Sequence, residues 1–410
     1  MVKYSCEKCG KDFKQKSHYD QHMKKKNPCV HENKLKEMIT NVVNESIVQP
    51  TNEVITIDIS ANKQMVNVNN EKDDGCYKRE KTEKYLMNYL NHIKKPDGTG
   101  FKRVLISPLR YAGGKSKAIG LILEYLPKLK HKRIVSPFFG GGSFELAVSQ
   151  NLGIEVIGYD IFEMLTNFWS ILINNKEKFI SELEKFEITS DEFTRNRHIL
   201  LSYWDKVKPE TLEYKTMKQL DLTDEEKSRL DNDKVMQAVY YYYNMSLSYG
   251  PMFLGWPSSN EIKPEKFKRR MEFLKKMNIK NVSVRCADFK TAIKNHPDDF
   301  LFMDPPYYLG TDSKMFKGMY PNCNFAIHHN DFEHEAMCEL LKNHKGGFLI
   351  TYNNCETIRD WYSDYEQVFP EWQYTYGQGE KRIGKNRIEN GTNSHIKESH
   401  EIFIISPPQI

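Results

Sequence analysis

The sequence has no apolar run approaching the roughly 20 residues needed to span a bilayer. Its N-terminus, MVKYSCEKCG, has no apolar stretch that could serve as a secretory signal. A membrane partner and secretion are therefore not expected, and an intracellular setting, cytoplasmic or nuclear, is. Cysteine is sparse: of eight, only Cys6, Cys9 and Cys29 form a spaced group, while Cys76, Cys286, Cys323, Cys338 and Cys355 are scattered. That pattern argues against a disulfide framework and for a reducing compartment with one metal site. Apolar content is on the low side at 39% and charged content on the high side at 28%, as for a globular body joined to some solvated chain. The net charge is only +5, but the basic residues are clustered. At 410 residues the chain is too long for one ordinary core, so two or more units are expected.

Residues 1–31 are a compact, lysine-rich Cys/His segment. Residues 32–104 read as a polar, Asn-rich tether with a short helix near Lys34–Val43. A second helix is expected near 77–95, where Tyr85, Leu86, Tyr89, Leu90 and Ile93 recur at helical spacing. The Pro-Asp-Gly-Thr-Gly run at 96–100 ends it. Beyond Val104, RIVSPF, EVIGYD, FLFMDPP, GFLITYN and EIFIIS read as short strands alternating with helices. This predicts an α/β fold with a doubly wound, mostly parallel Rossmann-like sheet. Between about Glu177 and Asn281 charged helical patterns interrupt the alternation, as an inserted, mainly helical domain would.

RIVSPFFGGGSFELAVSQ reads as strand, glycine turn and helix. Gly140, Gly141 and Gly142 let the backbone bend sharply and approach a ligand. About 20 residues on, Asp160 ends the next strand, where an acid commonly accepts hydrogen bonds from ribose hydroxyls. The loop does not fit G-x-G-x-x-G, which weakens a nicotinamide reading, and a lone triple glycine is more often a tight connection.

FLFMDPPYY is more specific. Its apolar strand delivers Asp304, Pro305, Pro306 and Tyr307 to a strand C-terminus, where open α/β sheets place ligands. An aromatic amine is a poor nucleophile because its lone pair is delocalised into the ring. A carboxylate oxygen of Asp304 and the Pro305 carbonyl, accepting its two N–H groups, would localise that pair for attack on a methyl sulfonium. The prolines stiffen the turn, and Tyr307 offers a face for stacking an extruded base.

These residues resemble the Dam-like, or D12, class of DNA N6-adenine methyltransferases. The resemblance covers about Ile106 to Ile405 in the family's motif order: PLRYAGGKSKAI, SPFFGGGSFEL, GYDIFEMLTNFW, MDPPYY, DFEHEAMCELL, FLITYNNCETIRDWY and EIFIIS. It implies a methyltransferase domain over 105–171 and 286–410, using S-adenosylmethionine on double-stranded DNA. Tyr111, Lys115, Phe138, Gly140, Gly142, Asp160, Asp288 and Asp304 would face the cofactor or reaction centre, and Asp304 to Tyr307 would carry out transfer. Two positions depart from the family pattern: Tyr111 replaces the usual Trp, and Ser136 stands where a Glu usually precedes Pro-Phe, leaving one acidic contact missing.

The resemblance also implies DNA recognition by residues 172–285, in which YYYYNMSLSYGPMFLGWPSSN resembles the family's Asn-containing hairpin region. Lys266, Lys268, Arg269 and Arg270 are the candidate phosphate contacts, though such a run also suits a solvated helix face. QGEKRIGKNRIENGTN at 378–393 is a second basic loop. The Arg-Tyr motif associated with Gly-Ala-Thr-Cys sites is not clearly present, so no target sequence is assigned.

Cys6-x2-Cys9-x12-His22-x6-Cys29 fits a tetrahedral zinc site, with His18 a rival to His22 and His31 to Cys29. Lys24, Lys25 and Lys26 favour nucleic acid over protein as the finger's partner. Two other readings stand beside a DNA enzyme: an RNA adenine methyltransferase, and a finger-tethered nucleic-acid binder with an inactive catalytic domain. The oligomeric state stays open, a monomer included.

Overall fold

The computed structural model describes residues 4–5, 12–13, 75–98, 100–207, 222–249, 253–308, 332–370 and 401–409. The chain divides into two units, Met1–Glu53 and Val54–Ile410. In the first, Tyr4–Ser5 (β1) and Asp12–Phe13 (β2) pair antiparallel, with Tyr4 opposite Phe13. Cys6, Cys9, His22 and Cys29 lie outside the described residues, as do the helix expected at Lys34–Val43 and the basic loop at 378–393.

The second unit is built on a seven-stranded sheet: β3 (Arg133–Ser136), β4 (Glu155–Asp160), β5 (Val282–Cys286), β6 (Phe300–Met303), β7 (Phe348–Asn353), β8 (Glu366–Val368) and β9 (Glu401–Ser406). Their spatial order is β5-β4-β3-β6-β7-β9-β8. The first five run parallel, and β9 enters antiparallel between β7 and β8. The mostly parallel α/β sheet predicted from the sequence is therefore present. The continuous apolar runs of β6 and β7 suit strands covered on both faces, and every residue of both is buried.

Two expectations about strands need amending. β5 takes in residues 282–285, which the sequence assigned to the insert. It lies at the sheet edge with four of its five positions at least partly exposed, so it has no apolar run to betray it. β8, three residues at the other edge, was not foreseen.

Helices cover both faces. On one, α1 (Gly75–Ile93), α2 (Ile119–Glu124) and α3 (Ser143–Leu152) share a contiguous apolar cluster with the helices that follow β4. The face of α1 that meets this cluster carries Tyr85, Leu86, Tyr89, Leu90 and Ile93, the residues whose spacing predicted a helix. The helices after β4 are α4 (Glu163–Asn174), α5 (Lys176–Leu183), α6 (Ser190–Val207), α7 (Asp224–Ser228), α8 (Lys234–Leu247) and α9 (Pro264–Lys276). On the other face lie α10 (Phe289–Asn295), α11 (His334–Lys342) and α12 (Glu356–Trp361).

α8 is buried on nearly every side, its polar Gln237, Asn244 and Ser246 included, because α4, α5 and α6 surround it. Its Tyr240, Tyr241, Tyr242 and Tyr243 are at most 1% exposed, and Tyr242 stacks on Phe168 at 5.5 Å. The tyrosine run therefore forms core helix, and beyond it Ser248 and Pro257 form an antiparallel bridge.

The order creates a switch point. The chain winds outward from β3 through β4 to β5, then returns to lay β6 on the opposite side of β3. At such a point the connections leave β3 and β6 in opposite directions, opening a crevice at their C-terminal ends.

Candidate active site

Four adjacent strands deliver candidate residues to that edge. Asp288 follows β5, Asp160 ends β4, the glycine loop follows β3, and Asp304 follows β6. The Ala287 amide donates to the Asp160 carbonyl at 3.1 Å, tying the ends of β5 and β4 together.

The glycine loop is held from two sides. Asp160 accepts from the Gly140 amide at 3.0 Å through Oδ2 and from the Phe162 amide at 3.0 Å through Oδ1. Trp169 Nε1 donates to the Gly140 carbonyl at 2.9 Å. Gly142, at φ 62°, turns the chain into α3 in the left-handed region that disfavours side chains. Tyr111 lies over the loop: a Cβ on Gly141 would fall 2.6 Å from Tyr111 Cβ. Phe138 joins an aromatic group with Phe289 at 5.9 Å and Phe332 at 5.5 Å.

Asp304 is the centre of the opposite wall. Lys115 Nζ lies 2.6 Å from both carboxylate oxygens, and Thr351 Oγ1 donates to Oδ1 at 2.8 Å. Lys115 is 4% exposed and also donates to the Gly113 carbonyl at 3.0 Å, whereas the Asp304 side chain keeps 24% exposure. The acid is thus reachable from solvent while its counter-ion is not.

The turn after Asp304 is fixed by side chains. The Asn353 carbonyl oxygen accepts from the Tyr308 amide at 2.8 Å, and its Nδ2 donates to the Tyr308 carbonyl at 2.9 Å. The Tyr307 hydroxyl donates to the buried Glu401 at 2.6 Å, which pins the ring 5.3 Å from Lys115 Nζ. Behind it, Tyr308 packs edge-on against His334 and Trp361 at 5.3 Å each. Burial pushes the His334 pKa down to about 4, so this aromatic support is neutral at physiological pH.

The missing acid at position 136 has a counterpart that the sequence did not reveal. The Ser136 hydroxyl, fully buried, donates to Glu145 Oε1 at 2.7 Å. Glu145 comes from the first turn of α3 and is 3% exposed. Its burial pushes the carboxyl up to about 8, while hydrogen bonds, the last of them from Ser136, pull the other way, and it feels both Asp304 and Lys115.

This constellation matches a known family. The sequence from residue 111 to residue 376, well over half the chain, fits the family model for D12 class N6 adenine-specific DNA methyltransferases. The chain belongs to that family. No curated protein matches it at a significant level. The methyltransferase thus has an adenine-specific DNA activity, and no helix among its described residues is long and apolar enough to cross a membrane.

The remaining candidates are placed less centrally. Asp288 caps α10, accepting from the Thr291 amide at 2.7 Å, and that bond, opposed by partial burial, lowers its pKa. Of the four basic candidates on α9, Lys266 and Arg270 pair with Glu261, which also meets Arg110 at 3.5 Å. Lys268 and Arg269 are exposed. No cluster of metal-ligating side chains occurs among the described residues. A cavity of about 510 Å³ lined by Lys132, Glu155 and Ser283 lies at the N-terminal ends of β4 and β5, the wrong end of a parallel sheet for ligand chemistry.

Proposed function

We propose that the enzyme transfers a methyl group from S-adenosylmethionine to N6 of an adenine turned out of double-stranded DNA. The observation that carries this reading is the solvent-reachable Asp304 carboxylate on a braced Pro-Pro turn, beside a glycine loop anchored by Asp160. The residues fit the cofactor: the close approach of Tyr111 to Gly141 makes a cradle that side chains would fill, and Asp160 stands at a ribose-binding place. When bound, the cofactor supplies an electrophilic methyl on a sulfonium.

The chain's own groups do the rest. Tyr111, Lys115, Phe138, Gly140, Gly142, Asp160 and Asp288 line the cofactor side. Asp304 and the Pro305 carbonyl accept the two N–H groups of the target amine, localising its lone pair and stabilising the positive charge that grows there. Tyr307, its hydroxyl anchored on Glu401, stacks the extruded base. Lys268 and Arg269 meet phosphates, within a recognition region supplied by the helices between β4 and β5.

At the N-terminus, Cys6, Cys9, His22 and Cys29 hold a structural zinc ion. Support comes from the spacing Cys6-x2-Cys9-x12-His22-x6-Cys29 in the sequence. This small unit adds nucleic-acid contact.

Incubation of the full chain with methyl-labelled S-adenosylmethionine and unmethylated plasmid DNA, then base-resolved mapping, tests the proposal. Label on adenine N6 at a defined sequence is expected. Label on RNA alone, or none on adenine in DNA, refutes it.

A further inference from the structure

Resting on that reading, the contacts between the insert and the cofactor loop point to a link between the two substrates. Arg110 is the residue before Tyr111, in the loop that forms the cofactor cradle. Its guanidinium nevertheless faces the insert. It donates to the carbonyls of Ser248 at 3.3 Å and Ser246 at 3.5 Å, at the C-terminus of α8, where a helix favours positive charge. It also lies 3.5 Å from Glu261. Glu261, ahead of α9 and only 12% exposed, holds Lys266 at 3.4 Å and Arg270 more closely. One carboxylate thus joins the cofactor loop to α9.

At this point α9 is two-faced. Lys266 and Arg270, one turn apart, reach back to Glu261, whereas Lys268 and Arg269 between them are exposed and are the proposed phosphate contacts. A hydrogen-bonded helix shifts as one body, so DNA that seats Lys268 and Arg269 also fixes Lys266 and Arg270. Through them it fixes Glu261, and through Glu261 the backbone leading into Tyr111. Tyr111 has little latitude: a Cβ on Gly140 would fall 3.0 Å from its ring, so a small displacement of the loop opens or closes the cradle. A cradle already ordered by DNA leaves the cofactor less ordering to supply, and the cofactor then binds more tightly. We propose that Arg110 and Glu261 are positioning residues, a clamp through which DNA held on α9 raises the affinity of the cofactor cradle. By linkage, the cofactor raises affinity for DNA by the same factor.

The test is a linkage cycle on the full chain, with labelled S-adenosylhomocysteine and unmethylated plasmid DNA as the probes. In equilibrium dialysis, wild type should bind S-adenosylhomocysteine about fivefold tighter with saturating DNA than without it. Glu261→Gln keeps the shape but loses the charge, and Arg110→Met keeps an unbranched chain but loses the guanidinium. Each should cut the DNA effect below about twofold, with affinity in the absence of DNA staying within about threefold of wild type. The double variant should do no more than either single one, because both break the same link. The readout is a ratio of two affinities of the folded protein, so lost stability does not imitate it. Wild-type coupling in either single variant, additive losses in the double variant, or no DNA effect in wild type overturns the clamp. A wild type that binds S-adenosylhomocysteine yet leaves adenine in DNA unmethylated overturns the underlying reading instead.

Discussion

The sharpest thermodynamic consequence concerns Glu145→Gln. Burial holds the Glu145 carboxyl at about 8, against an ordinary value of 4.5. Because the folded value is the higher one, the native state binds the proton more tightly than the unfolded chain. The associated stability is fully present below about pH 4.5 and drains away as pH rises toward about 8. At about 1.4 kcal/mol per pH unit, that interval amounts to roughly 5 kcal/mol. Glutamine keeps the shape and the acceptor but cannot ionise, so it lacks this drain. Urea unfolding of wild type and variant at pH 5 and at pH 8.5 isolates the effect, since other titrating groups are shared. With an m value of about 3 kcal/mol/M, the gap between the two midpoints should move by on the order of 1.5 M in favour of the variant. Parallel pH profiles would show that Glu145 ionises in the native state as freely as in the unfolded one, and would refute the reasoning.

Asp304→Ala should lower kcat by 10³ or more while leaving S-adenosylhomocysteine binding within a few-fold, measured by single-turnover kinetics and calorimetry; turnover near wild type removes Asp304 from the chemistry. Tyr307→Phe keeps the ring but removes its hydrogen bond to the buried Glu401, so thermal unfolding should reveal a loss of about 1–3 kcal/mol with only a modest change in kcat. Replacing Lys268 and Arg269 by Ala should weaken DNA binding across sequences and flatten the log-log salt dependence by about 1 for each phosphate no longer neutralised. An unchanged slope takes them out of the interface. Deleting residues 1–31 should preserve methyl transfer at saturating DNA and alter DNA affinity or target choice, and adding a chelator to the full chain should mimic the deletion. An inactive truncation contradicts that division of labour.

The sequence was most readable where the local pattern and the global fold agree. Apolar runs bounded by Asp, Pro or Gly marked β3, β4, β6, β7 and β9, because strands covered on both faces need such runs and the turns at their ends need such residues. β5 and β8 escaped notice because an edge strand is half solvated, and its alternation resembles a polar loop. The tyrosines of α8 carry no comparable local signal. A run of aromatic residues reads equally as a strand, and only the helices packed around it make it a core helix. The supports of the Asp-Pro-Pro-Tyr turn were invisible for a different reason. Thr351, Asn353 and Glu401 lie 47, 45 and 94 residues from the groups they hold, and no local signal announces a hydrogen bond across that distance. Glu145 reads as an ordinary acid in the first turn of a helix, where acids are favoured anyway. Its burial is a tertiary fact.

The departure at position 136 then takes on a different meaning. A serine in place of an acid looks like a missing partner when strand and helix are read separately. In the fold, the side chains of positions 136 and 145 meet, so a carboxyl reaching down from α3 occupies the neighbourhood a strand-end acid would occupy. Around the buried cation Lys115, the crevice still gathers Asp304 and Glu145, with Asp160 along its rim. With Glu145 held neutral by its burial, the carboxylates of Asp304 and Asp160 still outnumber Lys115, and that balance suits a donor that arrives with its own positive charge. The proposed sulfonium does so, and a neutral thioether leaves. The same imbalance would penalise an anionic group brought to the strand ends, which agrees with placing the proposed phosphate contacts, Lys268 and Arg269, on the exposed side of α9.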